Sequence, residues 1–289
     1  MMNTKEPIIE FRDVTFYYPI SETPALQNIN LKIYEGEYVA ILGLNGAGKT
    51  TLQLCLNGVI PNMIMGELTG DVFIKGLNTR DYPTRELAKI VGMVFDNPEF
   101  QLTQTSVAEE VALGLENLGT SPHDMEEIIG EVLQTVGLSG LKDRSPFELC
   151  GGQQQRLAIA SALAMHPEIF VMDEPTSNVD PVGKEEIIAV AAKLNQEKHM
   201  TVILAEHEVE VVAQYADHVI VIDKGKIILD GTPQQVFNQI DVLAKCGLRT
   251  PQVTEFFNQI NQSKKLGIKE LPIKIDEAES LMLNQFEKK

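Results

Sequence analysis

The sequence is poor in cysteine, in positive charge and in long apolar runs, and each shortage excludes a class of protein. Cys55, Cys150 and Cys246 are its three cysteines, far apart in the chain. An odd, scattered set builds no disulfide framework and has no metal-ligand spacing, so a reducing, cytosolic setting is expected. Lys and Arg total 24 against 41 Asp and Glu, a formal net charge of −17 with a pI near 4.7. A duplex-binding protein draws its affinity from neutralising phosphates and carries the opposite balance, so no nucleic-acid partner is expected. No uninterrupted apolar run approaches the ~20 residues that span a bilayer, and Met1-Met2-Asn3-Thr4-Lys5-Glu6 shows no signal-peptide pattern. Any membrane role is expected to come through a partner. Internal repeats and low-complexity blocks are missing too.

What is present is ordinary for a globular protein: 44% apolar and 22% charged residues over 289 positions. That length suits one large or two modest domains with a core of their own. The sharpest feature is Gly43-Leu44-Asn45-Gly46-Ala47-Gly48-Lys49-Thr50-Thr51, which fits the P-loop pattern GxxxxGK[ST]. At average residue usage the bare pattern arises by accident in roughly one chain of this length in a hundred. Here it also sits between the apolar run Tyr38–Leu42 and a helical pattern that starts near Gly48. Backbone N–H groups of such a turn converge on phosphate oxygens, because no Cβ blocks the approach and the helix N-terminus adds positive potential. Lys49 is expected at the β- and γ-phosphates and the Thr50 hydroxyl at a Mg²⁺ ion.

The rest of the chain alternates in character. Ile8 to Val14 reads as an edge-type strand, and the following Phe16-Tyr17-Tyr18 offers Tyr18 to stack on an adenine ring. Strands are expected at Asn28–Ile33, Tyr38–Leu42, Asp71–Ile74 and Val91–Phe95, the last ending in Asp96-Asn97-Pro98. Asn57-Gly58 reads as the stop of the P-loop helix. From about Thr105 to His166 the period is helical: Ser106 with Glu109 fits a capping box, Ser121-Pro122 with Asp124 opens a second helix, and a third follows Gly151-Gly152. Apolar runs then resume at Ile169–Asp173, Thr201–Ala205 and His218–Ile222, with helical stretches near 184–198 and 208–215. Such an alternation indicates parallel strands covered on both faces. From about Pro233 the pattern is helical again and ends in a charged tail.

Two carboxylates close the run Ile169-Phe170-Val171-Met172-Asp173-Glu174. In a P-loop protein this position puts Asp173 near the Mg²⁺ and Glu174 beside the γ-phosphate, where it can act as general base on the attacking water. Between these two motifs stands Leu149-Cys150-Gly151-Gly152-Gln153-Gln154-Gln155-Arg156, which resembles the LSGGQ signature of ATP-binding-cassette (ABC) ATPases. The resemblance covers roughly residues 8–235. It implies that Cys150, Gly151, Gly152 and Gln153 close over ATP held by the P-loop of a second subunit. It further implies that Pro175-Thr176-Ser177-Asn178-Val179-Asp180 is the loop joining the two halves of the dimer, with Asp180 in it, and that His207 is the switch histidine.

Two positions depart from the family pattern. Cys150 stands where Ser is usual, and a thiol is a weak donor where a hydroxyl bond to a charged phosphate is worth ~1.5–3 kcal/mol. Asp96 stands where the glutamine of the Q-loop is expected; a carboxylate there still suits Mg²⁺.

Within the family, Asn97-Pro98-Glu99-Phe100-Gln101-Leu102, the stretch from Ser106 to Asn117 and the tail with Leu248-Arg249-Thr250-Pro251-Gln252-Val253 resemble the ATPases of energy-coupling-factor (ECF) transporters. That resemblance implies an ATP- and Mg²⁺-dependent subunit at the cytoplasmic face of the membrane, energising import of a vitamin or transition-metal ion. Its implied partners are a second cassette, identical or paralogous, an integral coupling component and a separate substrate-capture protein. Other readings are an ATPase of another ABC class, a soluble cassette acting on ribosomes or DNA, and a low-turnover regulatory cassette. The expected fold is an α/β P-loop NTPase of ABC type over residues 6–235, with an antiparallel β portion and a helical subdomain at about 97–165. A C-terminal helical extension over 236–289 is a candidate for dimerisation.

Overall fold

The computed structural model describes residues 6–177, 179–264 and 267–286. Met1 to Lys5, Asn178 in the expected dimer loop and Glu287 to Lys289 of the charged tail lie outside the described residues. The chain begins with β1 (Ile9–Tyr17), β2 (Leu26–Ile33) and β3 (Tyr38–Leu42), then α1 (Lys49–Leu56) and α2 (Val59–Asn62). Next come β4 (Glu67–Ile74), β5 (Leu77–Asn78), α3 (Thr84–Leu87) and β6 (Val91–Val94). The helices α4 (Val107–Leu118), α5 (Pro122–Thr135) and α6 (Gly151–Ala164) precede β7 (Ile169–Asp173), α7 (Pro181–Lys198) and β8 (Thr201–Ala205). The remainder is α8 (Val209–Tyr215), β9 (His218–Asp223), β10 (Lys226–Gly231), α9 (Pro233–Phe237), α10 (Ile240–Lys245), α11 (Gln252–Lys264) and α12 (Ile275–Phe286).

These strands form two sheets. One is antiparallel, in the order β2-β1-β4-β5; the other runs β10-β9-β3-β8-β7-β6 and is parallel except for β10. Every residue of β3, β7 and β8 is buried, as expected of strands covered on both faces. Their alternate side chains feed different cores. Val39, Ile41, Val171 and Ile203 pack with α1 and the antiparallel sheet, so α1 lies between the sheets. Tyr38, Phe170, Met172, Val202 and Leu204 face the opposite way, onto α4, α5, α6 and α7. The C-terminal helices join through a third cluster, in which Phe237, Leu243 and Ile273 meet Val209, Val212 and Ala213 of α8.

Several local expectations are met for identifiable reasons. Ser106 and Glu109 form the reciprocal capping box of α4, and Ser121 caps α5 ahead of Pro122. The P-loop helix stops at Asn57, and Gly58 follows in the left-handed conformation. Two expectations are corrected, and one strand is new. The strand read as an edge is interior: β1 pairs with β2 on one side and β4 on the other. Its apolar residues Ile9, Phe11, Val14 and Phe16 break phase between 11 and 14, where a bulge with Asp13 at φ 50° shifts the register, so the tidy one-sided alternation misleads. The helix read as 184–198 starts at Pro181, because Asp180 caps it by accepting from Val182 N–H and Gly183 N–H, both at 3.1 Å. Past Ile222 the chain turns back as β10, a strand that shows no apolar run because Lys226–Gly231 alternates exposed and partly buried positions. Among the described residues no helix is long and apolar enough to cross a membrane.

A half-buried charge cluster ties the β9–β10 hairpin to the central strand. His218 at the start of β9 bonds Asp230 of β10 and lies 3.5 Å from Glu37, just before β3. Burial works against the imidazolium, but the bonds to Asp230 and Glu37 outweigh it and push the imidazole up to about 9. A folded-state value above the unfolded one of ~6.5 stabilises the fold fully below pH ~6.5 and loses that contribution as pH rises through about 9. The stability difference between the native protein and His218→Asn, measured by denaturant titration, is therefore expected to be of order 2 kcal/mol at pH 6 and to shrink towards zero by pH 10.

Candidate functional site

Parallel pairing brings the ends of β3, β7 and β8 to one edge. Ile41 and Asp173 both lie opposite Ala205, so the Gly43–Thr51 loop, Asp173-Glu174 and Glu206-His207 emerge together. Two glycines explain the loop's path. A Cβ on Gly43 would stand 2.5 Å from the Ile222 carbonyl oxygen, and one on Gly48, at φ 114°, 2.7 Å from that of Ala25. Both positions require the missing side chain.

Lys49 is the centre of the charge arrangement. Its ammonium is 4% exposed and donates to the carbonyls of Gly43 (2.9 Å) and Leu44 (3.3 Å). It also lies 2.9 Å from Glu174 Oε1. His207 Nε2 contacts the same carboxylate oxygen at 2.9 Å, so Glu174 is held between a lysine and a histidine. Burial pulls the Glu174 carboxyl upward, but Lys49 and then His207 overcome it and leave it below the usual range. Glu174 has φ 45°, a left-handed backbone that costs ~1–3 kcal/mol in a non-glycine residue. Its N–H is fixed by the Ala205 carbonyl at 3.1 Å. This strain turns the chain after β7 and is stored beside the Lys49 contact.

Asp173 behaves oppositely. It is 4% exposed, and burial raises its carboxyl despite the hydrogen bond that Thr50 Oγ1 donates to Oδ2 at 2.5 Å. Glu174 and Asp96 add like charge in the same direction. Asp173 Oδ1 is buried without a hydrogen-bond partner. An orphaned carboxylate oxygen beside a threonine hydroxyl, with a second carboxylate on the same wall, is the hard-oxygen donor set that Mg²⁺ takes. The residues therefore fit that ion.

A cleft of about 520 Å³ opens over these groups, lined by Tyr18, Asn45, Gly46, Gly48, Lys49, Thr50, Thr51, Asp96, Asp173 and Glu174. Tyr18 is positioned by Thr51, their hydroxyl oxygens 3.1 Å apart, and by an edge-on contact with Phe16. Of the other loop residues, Ala47 is buried and Leu44 is exposed, close to Gly247 in the C-terminal part. The cleft wall also includes Ser21, Thr23 and Pro24, which carried no signal in the sequence.

The structure keeps Cys150, Gly151, Gly152, Gln153 and Asp180 away from this cleft. Cys150 is exposed and caps α6, where its N–H donates to Gln153 Oε1 at 3.2 Å; Gly151 is the first helical residue. Gly152 lies against the start of α7: a Cβ there would meet Val179 Cγ1 at 3.1 Å and Gly183 Cα at 3.7 Å. Two further residues tie the helical part to Phe95, the residue before Asp96. Phe95 N–H donates to Gln101 Oε1 (2.8 Å), and the Phe95 carbonyl accepts from Gln155 Nε2 (3.1 Å). Gln155 stood within the glycine motif, but nothing in its spacing named the Phe95 carbonyl.

The ABC transporter family description matches residues 26–177, more than half of the chain. The chain belongs to the ABC transporter family. A protein of Caldanaerobacter subterraneus subsp. tengcongensis, provisionally named an ABC transporter ATP-binding protein, is 42% identical over 96% of this cassette. The cassette spans about half of that relative's length, 50%. A similarly named protein of Pyrococcus abyssi is 43% identical over 90% of the cassette and 92% of its own chain. Among solved structures, cbiO1 of Clostridium perfringens, described as part of the ABC transporter complex cbiONQ, superposes with a TM-score of 0.73 at 32% identity. That match covers 88% of the cassette and 99% of cbiO1. The ATP-binding cassette MJ0796, solved as a dimer in a post-hydrolysis state with ADP and Pi, gives 0.68 at 31% identity over 78% and 98% of the two chains. The cassette is thus an ABC ATPase domain, homologous to ATP-hydrolysing transporter cassettes, with the α/β fold, antiparallel sheet and helical subdomain expected of one.

The close approach at Gly48 makes a direct test of the loop. Gly48→Ala is expected to lower unfolding free energy by ~1–3 kcal/mol, read by chemical denaturation, and to weaken ATP binding, read by calorimetry.

Proposed function

We propose that this chain binds and hydrolyses ATP as one subunit of a cassette pair that energises an ECF-type importer of a vitamin or transition-metal ion. The observation that carries the hydrolytic part is Glu174, anionic and gripped by Lys49 and His207 at the mouth of the P-loop cleft. In that arrangement the loop N–H groups and the Lys49 ammonium take the phosphates, and Tyr18 takes the adenine. Thr50, Asp173 and Asp96 would hold Mg²⁺, which when bound supplies charge neutralisation of the phosphate oxygens. A phosphate arriving at Lys49 competes for the ammonium that now neutralises Glu174. The released carboxylate is then free to accept a proton from water, with His207 fixing its direction. General-base assistance of this kind contributes typically 10²–10⁴-fold.

The transport part rests on likeness. The structural match to cbiO1, a component of the cbiONQ complex, supports an ECF-type assembly. In such an assembly Cys150, Gly151, Gly152 and Gln153, at an exposed helix start away from the chain's own cleft, cover the ATP of the partner cassette. The Asp180 segment lies beside them at the same dimer face. The exposed Ile275, Met282 and Leu283 of α12 support a further role of the C-terminal extension in pairing. The chain then sits peripherally on the cytoplasmic face, held by an integral coupling component and served by a substrate-capture protein. The thiol of Cys150 makes a weak phosphate donor, which favours a non-identical partner and two unequal ATP sites.

Glu174→Gln is expected to lower kcat for ATP at least ~100-fold while leaving ATP binding intact and accumulating an ATP-dependent dimer in size-exclusion chromatography. Unchanged turnover would remove the enzymatic reading. Isolated from its native membrane, the chain is expected to come with a second, different cassette. A fully active homodimer with two equivalent sites sinks the unequal-pair proposal.

A further inference from the structure

Glu174 and His207 sit on the ends of adjacent strands, and a single side-chain contact between them leaves the histidine's backbone to be placed by something else. Glu206 does this. It is 3% exposed, although glutamate is rarely buried unless paired. The Thr176 hydroxyl donates to Oε1 at 2.5 Å and the His207 N–H donates to Oε2 at 3.0 Å, so each carboxylate oxygen holds one side of the site. Thr176, 5% exposed, lies two residues after Glu174 in the turn that leads to α7. The Glu206 N–H in turn donates to the Ile41 carbonyl at 3.2 Å, anchoring the clamp to the strand that enters the P-loop.

A second contact runs parallel to this one on the outside. Lys184, in the first turn of α7, reaches Glu208 Oε1 at 2.6 Å. That pair is solvent-exposed and weak, whereas charge-assisted bonds in a dry site are strong and geometrically strict. Replacing a whole buried polar pair by apolar groups of similar volume often costs a fold little, whereas removing one partner leaves the other buried and unsatisfied. Here the buried carboxyl group has a positional use: it joins the Thr176 turn to the backbone of His207.

We propose that Glu206 is a positioning residue for ATP hydrolysis, clamping the His207 backbone to the Thr176 turn so that His207 and Glu174 keep one relative placement. A displacement at Val179–Gly183, which lies against Gly152, then reaches His207 through the Thr176 turn and Glu206 rather than through the Lys184–Glu208 pair. This inference rests on the hydrolytic reading above.

The test is steady-state ATPase of the full chain, together with its partner cassette if one co-purifies, with Mg-ATP as substrate. Thr176→Val and Glu206→Gln are each expected to lower kcat about tenfold with KM and ATP affinity unchanged. The double variant is expected to fall no further than the worse single one, and Thr176→Ser to retain native kcat. In a His207→Ala background Glu206→Gln is expected to add nothing, since it acts through that histidine. Undiminished kcat in both singles, multiplicative losses in the double, or a full further loss in the His207→Ala background overturns the proposal. Should Glu206→Gln not fold, the Thr176→Val and Thr176→Ser pair decides alone. Glu174→Gln serves as the reference: if it still turns over, the hydrolytic reading has failed, whereas if it is dead and the Glu206 effects are multiplicative, only the clamp has.

Discussion

The parallel pairing of β3, β8 and β7 is the constraint on which the rest of the structure depends. Side chains in a strand alternate faces with a strict period of two, so a slip of one residue would exchange the two cores and misplace every group at the strand ends. In the register found here, Ile41 and Asp173 share Ala205 as their neighbour. The phosphate loop, the paired carboxylates and the histidine turn consequently leave the sheet side by side. Chemistry that is distributed over more than a hundred sequence positions becomes local because three fully buried strands admit one alignment.

Placed there, the charged groups satisfy one another. Lys49 is almost wholly buried, and a buried ammonium is tolerated because two loop carbonyls and Glu174 surround it. Glu174 reaches it by a left-handed backbone that its bonds to the Ala205 carbonyl and from the Ser177 N–H hold in place. Asp173, one residue away, keeps an oxygen with no partner. Two adjacent carboxylates are therefore driven in opposite directions, one lowered by its cations and the other raised by its burial, which suits different tasks within one site.

Much of this was legible in the sequence, and the pattern of what was not is physical. The central strands were readable because complete burial leaves continuous apolar runs, and β3, β7 and β8 match the expected spans residue for residue. Helix starts at Ser106 and Ser121 were readable because capping is a local, short-range chemistry. β1 carries the pattern of an edge because a bulge at Asp13 resets the alternation, and pairing on both sides is a tertiary fact that no local window contains. The P-loop, Asp173 and Glu174 announced themselves by type and spacing. Gln101, Gln155, Thr176 and Glu206 did not, since a glutamine clamping a distant backbone, or a glutamate accepting from a hydroxyl thirty residues away, has no fixed sequence interval to reveal it.

The placement of α4, α5 and α6 between β6 and β7 has a consequence for how such a chain can change over generations. β6 and β7 are direct sheet neighbours, so the long excursion between them leaves from and returns to adjacent points and does not interrupt the sheet. Its outer helices pack on the face opposite α1, and Gln101 and Gln155 at its root bond the Phe95 backbone in the segment leading to the cleft. Surface residues of the excursion can therefore be exchanged by mutation, like the handle of a tool, while the gripping end is inherited intact. A lineage built on this plan can acquire new attachments without having to reinvent its chemistry.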